Sequence, residues 1–246
     1  MRKPLYRSLI FLVCIVVLAG AIFDESKVFA EGNSSIVFWR SREPTKKIAL
    51  TFDDGPHPRY TERILKILDK YGVKATFFVI GVNIQNYPEP LKLIRAAGHE
   101  IANHSYTHDN SKDLSAANAI NEMKSCEELI YNTVGIKPKL FRPPRGANNA
   151  DVENAAREMG YSVVLWSVDT LDWKGLKGSE ICERVMSKVS NGSIILCHNN
   201  AEHVLDGLPL VLERLLNAGY EVVSVGELII EEDYYIDNLG VQRKNS

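Results

Sequence analysis

Two aspartates stand side by side in "TFDDGP" at residues 51 to 56, between an apolar run and a Gly-Pro pair. Successive side chains of a strand point to opposite faces, so a strand that delivers Asp53 and Asp54 to a rim lets the pair do two jobs. Farther on, "HSYTH" sets His104 and His108 four residues apart. On one helical turn or in a tight loop, that spacing aims both imidazoles at a common point, as a metal ion requires of its ligands. An acidic third ligand from a neighbouring strand end completes a two-histidine, one-carboxylate set with open coordination positions, which suits a catalytic metal site better than a structural one. Without that partner, hydrogen-bonded histidines in a loop are the plainer reading of the same pair.

These side chains need elements to hold them. Seven β-rich runs lie at 46–52, 74–80, 100–104, 139–143, 162–169, 193–198 and 220–225. Helical patterns fill the gaps: "YTERILKILDKYG" puts Ile64, Leu65, Leu68 and Tyr71 on one stripe and stops at Gly72. Similar patterns occupy 89–97, 115–134, 149–159, 179–190 and 207–218. Each helix is then a crossover, which forces the strands parallel and leaves a barrel or a doubly wound sheet, both with chemistry at the strand C-termini. Five of the seven strand ends carry polar chemistry: the aspartate pair, "HSYTH", "RPPRG", "DTLDW" and "CHNN". A dinucleotide site is excluded, because an acidic pair after the first strand would repel a pyrophosphate.

The chain has 246 residues, 45% apolar and 24% charged, enough for one large core. Its start reads as an export segment: basic "MRKPLYR", an apolar stretch of 16 residues from Ser8 to Phe23, and a small-residue exit at Ala30. That stretch is shorter than the roughly 20 residues of a spanning helix, which favours a cleaved signal peptide over a retained anchor. Either outcome places the domain outside the cytoplasm, secreted or anchored at the cell wall, with the membrane met only through this segment. Without residues 1–30, 25 basic side chains face 29 acidic ones and no basic face stands out, so nucleic acid is not an expected partner. Cys126, Cys182 and Cys197 are odd in number and widely spaced, which points to packing rather than a disulfide framework.

The ordered set "TFDDGP", "HSYTH", "RPPRG", "DTLDW" and "LCH" resembles the five motifs of the polysaccharide deacetylases with a NodB-like domain, carbohydrate esterase family 4. The resemblance implies an α/β fold, a distorted and incomplete (β/α)7-type barrel with its active site at the strand C-terminal rim. With the segments read from the residues themselves, the chain divides into a signal peptide or membrane anchor (1–30), a linker (31–45), the deacetylase domain (46–230) and a frayed tail (231–246). The implied activity is metal-dependent removal of N-acetyl groups from an amino-sugar polymer. Peptidoglycan, at N-acetylglucosamine or N-acetylmuramic acid, is the first expected substrate. The alternatives are chitin oligomers, acetylated xylan, or silent glycan binding without catalysis.

Carried over residue by residue, Asp53 resembles the general base, and Asp54, His104 and His108 resemble the ligands of a divalent metal. Zinc comes first, with cobalt, nickel and manganese also suited to such a set. His198 resembles the general acid, held by Asp172 or, as a substitute, Asp169. Arg142 resembles the residue that steadies Asp53, and a backbone N–H near Arg145 the oxyanion donor. Trp173 and Leu196 resemble walls of the substrate groove, with core packing as the plainer role for Leu196. Where the family often carries an aromatic residue after the double proline, this chain has Arg145, whose side chain suits an anionic group on the glycan. His57, His99 and His203 match no motif position, and a monomer is expected.

Overall fold

Strand and helix alternate as the pattern predicts, and every strand pair of the main sheet is parallel. The computed structural model describes residues 36–41, 45–109, 115–229 and 234–245; the export segment read in residues 1–30 lies outside them. In chain order the elements are β1 (Val37–Phe38), β2 (Arg40–Ser41), β3 (Lys47–Gly55), α1 (Thr61–Lys70), β4 (Thr76–Val79), α2 (Gly81–Asn86), α3 (Pro88–Ala96) and β5 (Glu100–Asn103). Then come α4 (Ala116–Val134), β6 (Leu140–Phe141), α5 (Ala150–Glu158), β7 (Ser162–Val164), β8 (Val168–Asp169), α6 (Gly178–Met186) and β9 (Ile194–His198). The chain ends with α7 (Val204–Asn217), β10 (Glu221–Val223), α8 (Val225–Leu228), β11 (Tyr234–Ile236) and β12 (Val241–Lys244).

The main sheet runs β1-β7-β6-β5-β4-β3-β9-β8, with β10 paired to the start of β3. It curls into an incomplete (β/α) barrel in which β3 lies between β4 and β9. Alternation along β3 sorts its side chains: Ile48, Leu50 and Phe52 pack outward under the helices, while Ala49, Thr51 and Asp53 alternate with them. The outer layer is one apolar cluster in which Phe52 stacks on Phe77 at 5.1 Å between ring centroids. Each such fully buried side chain contributes about 1.5–3 kcal/mol. The helices start and stop on local chemistry: Ser115 accepts from the Asn118 N–H, Asn149 accepts from the Val152 N–H, and Gly72 ends α1 with a positive φ of 65°.

Three expectations are corrected. "SVVLWSVD", expected as one strand over 162–169, splits into β7 and β8, because it pairs first with β1 and β6 and then with β9 at the other end of the sheet. Two carbonyls at this crossing, Val164 and Leu165, accept instead from the Arg142 guanidinium at 2.9 and 3.1 Å. The segment read as a linker supplies β1 and β2. The tail read as frayed forms the β11–β12 hairpin, whose β12 pairs with β2, and Tyr234 and Ile236 pack against the cluster that holds Phe38. Among the described residues Cys126, Cys182 and Cys197 are buried and form no disulfide, as packing residues should. No helix among the described residues is long and apolar enough to cross a membrane.

Candidate active site

Asp53 and Asp54 should point to opposite faces of β3, yet both carboxylates reach the same place. His104 Nε2 lies 3.6 Å from Asp53 Oδ2 and 3.6 Å from Asp54 Oδ1. The cause is local: the pairing of β3 with β4 shifts register between Phe52 and Gly55, and Asp54 takes a left-handed φ of 67°. A bulge of this kind re-aims a side chain that regular pleating would turn away. The five non-glycine residues of positive φ among the described residues are Asp54, Ser105, His108, Arg145 and Leu171: Asp54 near the end of β3 and the others in loops that follow strands. Such strained backbone persists where surrounding contacts hold it, and it gathers at functional sites.

The "HSYTH" loop is held in this way. Glu122 Oε2 accepts from the Tyr106 and Thr107 N–H groups at 3.0 and 2.8 Å, and the His108 N–H donates to Ser105 Oγ at 3.1 Å. The imidazoles of His104 and His108 then lie 5.0 Å apart between centroids, and His108 Nε2 is 3.4 Å from Asp54 Oδ1. His104 Nδ1 donates to the Arg142 carbonyl at 2.7 Å, which fixes the tautomer and leaves Nε2 as a lone pair. Burial drives the His104 pKa down to about 3 although the Asp54 charge opposes it, so the ring is neutral, as a ligand must be.

A metal ion fits this donor set. One ligand atom from each of Asp54, His104 and His108 lies within 4.8 Å of the others, and Asp54 Oδ1 is buried without a hydrogen-bond partner. A buried carboxylate oxygen facing two imidazole nitrogens, with no hydrogen-bond partner of its own, is costly unless a cation joins them. Asp53 is engaged differently. Its Oδ1 accepts from Arg142 Nη1 at 2.6 Å, and the same nitrogen donates to Thr51 Oγ1 at 2.9 Å. Arg142 is fully buried, its guanidinium 3.9 Å from the Phe78 ring centroid. Burial raises the Asp53 carboxyl above the usual carboxylate range, and the Arg142 charge and hydrogen bond oppose that rise.

His198 stands beside Asp53 on the neighbouring strand, since β3 and β9 pair Asp53 with His198. Asp172 grips it twice, with Oδ1 on His198 Nδ1 at 2.7 Å and Oδ2 accepting from the His198 N–H at 2.8 Å. Burial works against the imidazolium, but the Asp172 hydrogen bond and charge, with Asp53 and Asp54 behind them, lift the His198 pKa to about 9. Asp169, the substitute considered for this role, instead accepts from the Leu171 N–H at 2.8 Å and lines the cavity.

The cavity of about 480 Å³ brings together Asp53, Asp54, His104, His108, His198, Arg145, Leu196 and Trp173. Leu196 is only 3% exposed yet forms part of the wall, whereas Trp173 is 56% exposed. Arg142 and Asp172 lie beneath, buried against the groups they hold. Sequence reasoning missed Trp166, which also lines the cavity. Its signal was alternation: Trp166 lies two residues after Val164, which faces the barrel interior. His57, His99 and His203 stay outside the cavity lining; His99 Nδ1 accepts from the Ala75 N–H at 3.1 Å, and burial lowers its pKa to about 4.

An α/β barrel with an Asp-His-His cluster at its strand C-terminal rim defines the class. The chain belongs to the polysaccharide deacetylase family, whose pattern matches residues 40–164. It is 38% identical over 201 residues to a peptidoglycan-N-acetylglucosamine deacetylase of Bacillus cereus, covering 78% of this chain and 92% of that one. It is also 38% identical over 187 residues to the peptidoglycan-N-acetylmuramic acid deacetylase PdaC of Bacillus subtilis, covering 76% of this chain but only 39% of that longer protein. Among solved structures, BA3943 of Bacillus anthracis, described as a CE4 family pseudoenzyme, superposes with a TM-score of 0.77 at 32% identity, over 82% of this chain and 71% of that one. A mutant of BA3943 is described as having restored enzymatic activity.

Proposed function

We propose that this chain hydrolyses the N-acetyl groups of an amino-sugar polymer, with peptidoglycan as its substrate, outside the cytoplasm. The observation that carries the proposal is the division of labour within the aspartate pair: Asp54 faces His104 and His108, and Asp53 is tied to Arg142. A divalent cation, zinc foremost, when held by Asp54, His104 and His108, supplies Lewis acidity towards water and the acetamide carbonyl. Asp53 takes the proton from the attacking water, and its raised pKa makes it a stronger base than an exposed carboxylate. Arg142 keeps that carboxylate oriented and ionised until it acts. The Arg145 backbone N–H, in a strained turn at the cavity rim, donates to the oxyanion that develops on the carbonyl. His198, kept as imidazolium by Asp172, protonates the departing amine. Trp173, Trp166 and Leu196 give the sugar and acetyl methyl an apolar wall.

Acetate release from purified wall glycan, chitin oligomers and acetylated xylan, each with and without chelator, tests this reading. Release should be fastest from wall glycan and should stop with chelator; unchanged release in chelator removes the metal mechanism, and none from any substrate favours silent glycan binding. The same assay bears on Arg145, whose side chain makes no ion pair among the described residues and lines the cavity. Arg145→Ala should raise KM for glycans carrying a free carboxylate and leave neutral chitin oligomers unaffected.

The His198–Asp172 pair sets a pH limit. Catalysis needs the imidazolium, so activity should fall as pH rises through about 9. The folded value lies above the ordinary 6.5, so the pair's contribution to stability is whole below about pH 6.5 and is lost as pH rises through about 9. Asp172→Asn should move the alkaline limb of kcat/KM down by about 1–3 pH units. A limb that stays in place means that Asp172 does not hold the acid.

A further inference from the structure

A second concavity, of about 380 Å³, lies where the β11–β12 hairpin meets the start of α5, lined by Trp39, Asn148, Glu153, Asp237, Asn238 and Gly240. Trp39 is 43% exposed although it sits inside this groove. Gly240 lies against its ring so closely that a Cβ there would meet Trp39 Cδ1 at 1.9 Å, and the Trp39 N–H donates to the Gly240 carbonyl at 2.9 Å. The turn is braced from within: Asp237 accepts from the Leu239 and Val241 N–H groups at 2.9 and 3.0 Å and from Arg243 Nε at 2.7 Å. Asn148 Nδ2 donates to Glu153 Oε1 at 2.6 Å, while Asn148 Oδ1 is buried with no partner. The groups left uncommitted are therefore an indole face and the Asn148 amide oxygen, beside the Glu153 carboxylate and an Asp237 already paired with Arg243.

That combination suits a saccharide. A sugar ring offers an apolar C–H face to an aromatic platform and hydroxyls to amide and carboxylate acceptors. It does not suit a phosphate-bearing ligand, which the Glu153 carboxylate would repel. The groove also adjoins the catalytic cavity: Asn148 follows the cavity residue Arg145 by three positions, a span of at most about 11 Å of chain. Between them, Gly146 packs against Trp166, another cavity residue; a Cβ on it would meet Trp166 at 2.8 Å.

We propose that the groove around Trp39 and Asn148 is a second saccharide-binding site, which holds the glycan chain beyond the sugar in the catalytic cavity. The inference rests on the reading of the substrate as an amino-sugar polymer, but it concerns binding and not turnover. The site would make the protein select long strands over short ones by adding a distant contact to the same ligand.

The test uses the full chain carrying Asp53→Asn, titrated with the disaccharide and the hexasaccharide of N-acetylglucosamine. The hexasaccharide should bind about tenfold tighter. Asn148→Ala should weaken hexasaccharide binding about two- to tenfold, the worth of one hydrogen bond, and Trp39→Ala about tenfold, with disaccharide affinity unchanged in both. If Trp39→Ala melts early because its contact with the hairpin is lost, Asn148→Ala decides alone. Equal affinity for the two lengths in the parent, or equal losses for both ligands in the variants, overturns the proposal. Because the readout is binding rather than turnover, a catalytically silent chain still tests the groove, and a failed groove leaves the deacetylase reading intact.

Discussion

Asp53→Asn should retain its metal and lose kcat by about 10²–10⁴-fold, the usual contribution of a positioned general base. The substitution is conservative in shape, and the amide oxygen can still accept from Arg142 Nη1, so the 2.6 Å contact survives in weakened form. It removes the charge. Arg142 is then buried without its counter-ion, and uncoupling a buried pair costs up to about 3–5 kcal/mol. The variant therefore needs a melting curve beside the rate measurement, and the rate should be taken well below its midpoint. Metal content should stay at the parent level because Asp54, not Asp53, faces both imidazoles. Near-normal turnover in a folded, metalled variant would remove the base assignment, and loss of metal would mean that both aspartates ligate.

The types of residue at the strand ends were legible in the sequence because polar chemistry interrupts an otherwise apolar alternation; their aim was not. Nothing in "TFDDGP" tells that a bulge and a left-handed Asp54 bring both carboxylates within 3.6 Å of one imidazole nitrogen. Regular pleating predicts the opposite. The choice of Asp172 over Asp169 came from resemblance alone, and the structure gives its physical ground in the two hydrogen bonds to His198. Strand pairing beyond the alternating region was also hidden. β1, β2, β11 and β12 are only two to four residues long, too short for periodicity to register, and they owe their order to tertiary partners such as Phe38 and Gly192. The division of 162–169 into two strands has the same origin, since it answers to the two ends of the sheet rather than to local sequence.

Membership of the family does not by itself make an enzyme, because BA3943, with the same fold, is described as a pseudoenzyme. The distinction must come from side chains. Here the donor cluster, the paired Asp53 and Arg142, and the paired His198 and Asp172 occupy one rim with every partner in hydrogen-bonding or ligating reach. Each pair also places its member in a state suited to the proposed reaction: a neutral His104, a base of raised pKa and a charged His198. A glycan-binding domain would need none of these states.

His104→Ala should abolish metal binding and activity together. Its ring offers one of the three atoms proposed to ligate the cation, and its Nδ1 bond to the Arg142 carbonyl aims that atom. Losing an orienting partner alone typically costs 10–100-fold in metal affinity, so losing the ligand should cost more than about 10²-fold. His104 is 2% exposed, and truncation leaves a hole beneath Asp54, so a folding defect could mimic the loss. His108→Ala separates the two effects. Its side chain is 23% exposed and carries one ligand atom from a loop, so this variant should stay folded and still lose metal. Elemental analysis after dialysis against zinc gives the answer. Parent-level metal in folded His108→Ala would mean that the Asp54, His104 and His108 cluster is a hydrogen-bonded knot rather than a cation site. Metal lost there but kept in Asp53→Asn would separate the ligands from the base.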